Sequence, residues 1–400
     1  MDAVTQRSAR AVRRWTLFAY GFRPFFLAAL SYAPLAVLAW LSLRATGRLP
    51  LPGFPPQLWH GHEMIFGFVA AAIAGFLLTA VPSWTGERGF AGKPLILLTI
   101  LWLAGRLAFA CAAWIPLPAL MAVELTFFPA LMTLLAPPLL RARNRNTPLL
   151  IVLAALWSMD ATFLYAVLRA DVLLATTALR VSIDIVLLLI TVIGGRIVPA
   201  FTANALRRRG IEAQVRSARW LEIAVIAAMA LAVVIDIVSP FHPVAAVVAA
   251  IAACAHALRL AGWRGVRTLK EPIVWVLHLA YAWLPVGLAL KALYLGLSVP
   301  WAMQWLHALT LGAIAMMVVA VVTRASLGHS GRVLVVSRPT AVAYVLLTVA
   351  ALLRVFGAIV ATDYEWSVRV SGALWIAAFA LILAVYAPIL LRPRIDGRPG

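Results

Sequence analysis

Twelve stretches of about twenty apolar residues follow one another from residue 22 to residue 391, and they leave this chain few folds to choose from. A helix needs about 20 mostly apolar residues to cross the hydrocarbon core of a bilayer. The stretches lie near 22–43, 62–82, 95–115, 119–140, 149–168, 172–197, 219–238, 243–262, 273–296, 302–323, 340–361 and 368–391. Only 12% of the 400 residues are charged and 64% are hydrophobic. A soluble domain carries about a quarter charged residues, so lipid must act as solvent for much of this surface. Gly67, Gly75, Gly194, Gly195 and Pro285 fall inside the stretches, as helices in lipid allow where neighbours pack closely. The expected fold class is all-α: a polytopic membrane protein with about 12 transmembrane helices, forming a single transmembrane domain over 1–400.

The basic excess sets the orientation. The chain has 34 Lys and Arg against 14 Asp and Glu, a net charge of +20. Such an excess suits nucleic acid when it covers one soluble domain. Here it lies between apolar segments, so the expected partner is membrane lipid and no nucleic acid. Arg7, Arg10, Arg13 and Arg14 precede the first span, and every second loop is basic: Arg88 and Lys93; Arg141, Arg143 and Arg145; Arg207, Arg208, Arg209, Arg216 and Arg219; Arg264, Arg267 and Lys270; Arg324, Arg332 and Arg338. Arg392, Arg394 and Arg398 end the chain. The alternate loops are nearly free of positive charge, with Asp363 and Glu365 in the last; only Arg44 and Arg48 run against the pattern. Positive loops face the cytoplasm, which places both termini there. The first span follows a basic arm and is long enough to remain uncleaved. Cys111 and Cys254 fall at opposite depths, too far apart for a disulfide.

Orientation converts position into depth. His60, His62 and Glu63 fall at the outer end of span 2, and His307 about one turn into span 10 on the same side. Arg180 and Asp184 share a face of span 6 in the outer half, with Glu124, Lys291 and Arg354 at similar depth. His256 and His278 lie towards the inner side, His329 in a cytoplasmic loop and His242 in a short outer loop. Ionisable groups in a membrane cost roughly 2.5–3.5 kcal/mol each, so these mark either function or helix-locking pairs. Arg106, Asp160, Arg180, Asp184 and Arg354 suit both accounts, and His256 suits packing as well as ligation. Histidine is the commonest metal ligand and a haem axial ligand. Residues two apart on an α-helix diverge by roughly 160° to 200°, so His60 and His62 cannot share one ion while helical. Gly61 and Gly67 would let a flat macrocycle approach the backbone.

A faint repeat links spans 2, 6 and 10. Trp59-His60 opens one and Trp305-Leu306-His307 another, and they end in Thr79-Ala80-Val81-Pro82 and Thr323-Arg324-Ala325-Ser326; span 6 ends in Gly194-Gly195-Arg196-Ile197-Val198-Pro199. A spacing of four spans fits three tandem four-helix units. The basic stretch 198–219 alternatively divides the chain into two six-helix halves.

Three longer runs carry a family resemblance: Gly21-Phe22-Arg23-Pro24-Phe25-Phe26; Trp59-His60-Gly61-His62-Glu63-Met64-Ile65-Phe66-Gly67 with Ala74-Gly75-Phe76-Leu77-Leu78-Thr79-Ala80-Val81-Pro82; and Thr323-Arg324-Ala325-Ser326-Leu327-Gly328-His329-Ser330-Gly331-Arg332. In order and spacing the chain resembles the NnrS family over nearly its whole length. That resemblance implies a multi-pass protein of the bacterial inner membrane. It also implies non-covalent haem b and copper, and a role in nitric oxide metabolism, denitrification and resistance to nitrosative stress. The family's motif histidines fall on His60, His62, His278, His307 and His329. Twelve helices also resemble the catalytic subunit of haem–copper oxidases, whose low-spin haem is held from spans 2 and 10. By that likeness a haem would sit between His60 or His62 and His307, with Arg180, Arg354 or Lys291 pairing its propionates. Oxidase copper ligands on spans 6 and 7 have no counterpart here, since neither span contains a histidine. Copper would then need the second histidine of the 60/62 pair, with Glu63 or a methionine, and His329 remains a further metal candidate or a helix-end feature. His278 with His256 could form a second site. Expected partners are a small gas such as NO and a quinol or redox-protein electron donor; any enzymatic activity would be that of a haem/copper oxidoreductase, with catalytic residues unknown. The alternative function is a twelve-helix transporter of a metal, haem or small anion through the charged outer-half pocket.

Overall fold

The computed structural model describes residues 16–47, 54–360 and 364–397. Arg7, Arg10, Arg13, Arg14, Arg48, Asp363 and Arg398 lie outside the described residues. Among the described residues there is no strand, and twelve helices are long and apolar enough to cross a membrane. They are α1 (Phe22–Thr46), α2 (Pro56–Thr85), α3 (Lys93–Ala110), α4 (Leu117–Arg141), α5 (Leu149–Leu168), α6 (Val172–Arg208), α7 (Arg219–Val238), α8 (Pro243–Gly262), α9 (Pro272–Leu297), α10 (Pro300–His329), α11 (Arg338–Gly357) and α12 (Tyr364–Leu391). Helices satisfy their own backbone groups, which lipid cannot do. Their outer faces are apolar: Leu97, Ile100, Leu103 and Leu107 of α3 are exposed one turn apart, as are Trp220, Ile223 and Ile226 of α7.

Several boundaries differ from expectation: three helices extend beyond their apolar part, and one stops short of it. α2 begins at Pro56, so His60 and His62 lie inside it. α6 continues to Arg208 through 37 residues, about 55 Å of helix, and takes up half of the stretch expected as a loop over 198–219. α10 continues to His329, which is the last helical residue and not part of a loop. α3 stops at Ala110, five residues early.

Two helices widen locally. Glu63–Val69 in α2 and Ala308–Ala315 in α10 are π-helical, a feature often found at functional sites. Each begins directly after a histidine, His62 and His307. The likeness of spans 2 and 10 thus extends to the backbone, whereas α6 is α-helical throughout. α4 breaks at Leu125 and Thr126, between the helical segments Leu117–Glu124 and Phe127–Arg141.

The chain packs as two compact units. The first contains residues 1–179, 322–334 and 379–400; the second contains 180–321 and 335–378. In the first, Arg23 of α1 donates from Nη1 to the carbonyls of Leu390 (2.8 Å) and Arg392 (2.7 Å), satisfying the open end of α12. Arg394 donates to the His329 carbonyl at 2.8 Å, and the His329 ring packs against Tyr20 and Phe22. Two of the motif runs, around Arg23 and around His329, therefore meet at one end of this unit. In the second unit α8 presents the small residues Ala245, Ala249, Ala252 and Ala253 as buried contacts, and α8 and α9 pack closely together, as small residues permit in membranes.

Candidate metal centre

Helices α1 to α5 of the first unit converge on five ionisable side chains and a tyrosine. His62 and Glu63 come from α2 at the start of its π segment, Arg106 from α3, Glu124 from the break in α4, Asp160 from α5 and Tyr32 from α1. His62 and Glu63 are fully buried, and Arg106, Glu124 and Asp160 nearly so. Arg106 sits at the centre, with Nη1 donating to Glu63 Oε1 and Nη2 to Glu124 Oε1. Tyr32 donates its hydroxyl to Glu63 Oε2. His62 bridges two carboxylates: Nδ1 lies 2.9 Å from Glu63 Oε1 and Nε2 lies 3.0 Å from Asp160 Oδ1.

Glycines make this closeness possible. A Cβ at Gly105 would occupy the place of the Glu124 carboxylate, and one at Gly67 would run into the Tyr32 ring and the Arg106 side chain. Trp102 adds a hydrogen bond from Nε1 to the Gly67 carbonyl at 3.0 Å. The space beside Gly61 and Gly67, suited by sequence to a flat macrocycle, is filled by Leu179 and by Tyr32 with Arg106. Rings close the His62 imidazole off as well: Phe109 stacks on it at 3.9 Å, with Phe163 at 4.8 Å and Phe66 at 4.9 Å.

Three side chains of the cluster could hold a metal ion. One ligand atom each from His62, Glu124 and Asp160 lie within 4.8 Å of one another. Glu63 on Nδ1 of His62 leaves Nε2 to face the two other carboxylates, the arrangement in which a carboxylate orients a metal-binding histidine. A cavity of about 10 Å³ adjoins them, lined by Phe66, Trp102, Arg106, Glu124 and Asp160 among others. Glu124 Oε2 and Arg106 Nε are buried with no hydrogen-bond partner. Charge counting agrees: three carboxylates face one guanidinium, which leaves two negative charges when His62 is neutral. Buried uncompensated charge is expensive, and a divalent cation or two protons would remove it.

The other sequence candidates have separate settings. His60, also in the first unit, points away from His62 and stacks on Trp40 at 4.5 Å, as the i, i+2 divergence requires. In the second unit, His307 is half-buried just before the π segment of α10. His278 Nε2 pairs with the Thr202 hydroxyl at 2.7 Å, and His256 Nδ1 with the Tyr281 hydroxyl at 2.7 Å. Trp263 touches both His278 and Tyr281, so the two inner-side histidines belong to one aromatic cluster. Arg354 donates to Gln304 Oε1 (2.9 Å) and the Tyr364 hydroxyl (2.8 Å). Arg180 lies 4.6 Å over the Phe241 ring.

Tyr32 and Asp236 were invisible to sequence reasoning in different ways. Tyr32 is an ordinary tyrosine in an apolar span. Asp236 obeys the same rule that flagged Asp184, since both are acids within a span, but its place two residues from the end of α7 suggests solvent until the structure shows it buried.

A multi-pass α-helical membrane protein whose first unit encloses a carboxylate-rich ionic cluster is the class these features define. A family model described as NnrS protein matches residues 16–394, and the chain belongs to the NnrS family. No curated protein matches it.

Proposed function

We propose that this protein works in bacterial nitric oxide metabolism at the inner membrane, binding a divalent transition metal at the cluster of the first unit and meeting NO or a related nitrogen oxide there. The observation that carries the metal is the convergence of His62, Glu124 and Asp160 within 4.8 Å, with Glu63 orienting the imidazole. One imidazole and two carboxylates suit divalent copper or iron better than Cu(I), which prefers the soft sulfur of Cys or Met. When bound, such an ion supplies a position for a small ligand and a place for an electron. The chain's own groups hold Glu63 and Glu124 on Arg106, exclude water with Phe66, Phe109 and Phe163, and leave the Arg106 guanidinium beside the cavity to donate to a polar ligand. The nitric oxide role rests on family membership.

The family likeness also supports haem b, with either His60 or His307 as a candidate axial ligand; His62 would have to give up a carboxylate partner to serve. The decisive experiment is metal analysis and a visible spectrum of the purified protein. The reading expects about one copper or iron per chain that is lost in His62→Ala, and a spectral shift when NO is added to the reduced form. A Soret band lost in His60→Ala or His307→Ala would assign the haem. A colourless, metal-free preparation that still protects cells from NO overturns the proposal. Transport of a metal, haem or small anion is the second reading, favoured by the buried ion pair of Lys291 and Asp236, and proteoliposome flux would decide for it.

A further inference from the structure

Helices α6, α7 and α9 of the second unit bring together three ionisable groups that the metal reading does not use. Lys291 Nζ donates to Asp236 Oδ2 at 2.6 Å, and both side chains are almost fully buried. Asp184, 3% exposed, has Lys291 and Asp236 as its main electrostatic neighbours, and its carboxylate faces that of Asp236. Two facing carboxylates are both acceptors, and neither can satisfy the other without a proton or cation between them. Asp184 Oδ2 and Asp236 Oδ1 are accordingly buried with no hydrogen-bond partner.

Arg180, on the same helix as Asp184, is half-buried, packs over Phe241 and is an electrostatic neighbour of both acids, with Tyr294 of α9 nearby. Trp305 of α10 lies 5.0 Å from Lys291 Nζ and brings no charge. His242, at the start of α8, is exposed and accepts a capping bond from the Val244 amide. Asp236 is also in the last turn of α7, where the helix dipole is negative and favours a cation. Its place two residues from the helix end puts the pair close to water at that end of the unit.

We infer that Asp184 and Asp236 form a site for one further positive charge: a proton shared between the two carboxylates, or a sodium ion held on their open oxygens. The site is independent of the metal centre in the first unit. Lys291 fixes one oxygen of Asp236, and the other remains for the bound charge.

The test uses full-length protein in nanodiscs. Infrared spectra read the protonated carboxyl band in sodium-free buffer, and thermal unfolding is followed during a sodium chloride titration with choline chloride as the ionic-strength control. The proton form predicts a carboxyl band that disappears in Asp184→Asn or Asp236→Asn and shifts in frequency, without loss, in Asp184→Glu. The sodium form predicts a melting temperature that rises with sodium but not choline, a response lost in Asp184→Asn. Asp184→Glu keeps the charge and the fold if an Asn variant does not fold. The inference is overturned if the wild type shows neither signal, or if these substitutions leave both unchanged. Metal content serves as the separate control and should not change in any of them.

Discussion

Each unit contains an arginine buried among a glutamate, a tyrosine and a histidine, and the two sets differ in charge and in exposure. In the first unit Arg106 meets Glu63 and Glu124, Tyr32 bonds to Glu63, and His62 bridges Glu63 and Asp160. In the second, Arg259 meets Glu222 and the Tyr281 hydroxyl (2.9 Å), and Tyr281 pairs with His256. There one guanidinium faces one carboxylate, and Glu222 is a third exposed. The second set is charge-balanced and partly open to water. The first has two carboxylates more than its arginine can neutralise, gathered around a histidine with an oriented ring. Residue types alone do not make a ligand site; surplus charge of one sign, kept from water, does.

The largest expected difference is in metal content. His62→Ala should remove the metal entirely, and Asp160→Asn should weaken binding severely, while His256→Ala leaves the stoichiometry unchanged. Plasma mass spectrometry of the purified variants measures this. Equal loss in His62→Ala and His256→Ala would erase the distinction between the sets.

Stability should separate them next. Arg106→Ala strands Glu63 and Glu124 without a cation in a buried setting, and breaking such a buried pair costs about 3–5 kcal/mol. Arg259→Ala should cost less, because the exposed part of Glu222 recovers water. Thermal unfolding of both variants in the same detergent gives the comparison, and a larger loss in Arg259→Ala would reverse it.

How much of this could be seen in the amino-acid sequence follows from what sets each feature. Twelve helices were legible because apolar length is a property of a segment by itself. The continuation of α6 to Arg208 and α10 to His329 was not, because helix ends in polar sequence depend on packing and capping. Glu63, Arg106, Glu124 and Asp160 each stood out as a charge within or beside an apolar span. Their meeting at His62 depends on how five helices pack, which no local pattern records. The π segment after His62 redirects the residues that follow it, so a face drawn with α-helical spacing misplaces them. Tyr32 gains its role solely from its neighbours.

A finer test concerns Glu63, which touches the proposed ion only through His62. Glu63→Gln keeps the shape but weakens the acceptor on Nδ1. Loss of such an orienting partner lowers metal affinity about 10–100-fold. Competition with a chelator of known affinity measures the change. Glu222→Gln in the second unit should leave the affinity as it is. If both glutamates matter equally, the metal is not at His62.

The smallest expected effect is on the tyrosines. Tyr281→Phe removes a hydroxyl that accepts from Arg259 and pairs with His256 Nδ1. His256 Nε2 already has no partner, so the substitution leaves that ring with neither nitrogen bonded in a buried pocket. A stranded buried polar group costs about 1–3 kcal/mol. Tyr32→Phe removes one donor to Glu63, which retains Arg106 and His62, so the loss should fall at or below the low end of that range. Without its metal, however, the first cluster sets three carboxylates against only the Arg106 guanidinium and the His62 imidazole between Glu63 and Asp160, and removing the Tyr32 donor should then cost more. The Tyr32→Phe penalty should therefore grow after chelation and the Tyr281→Phe penalty should not, which paired unfolding curves with and without chelator can show.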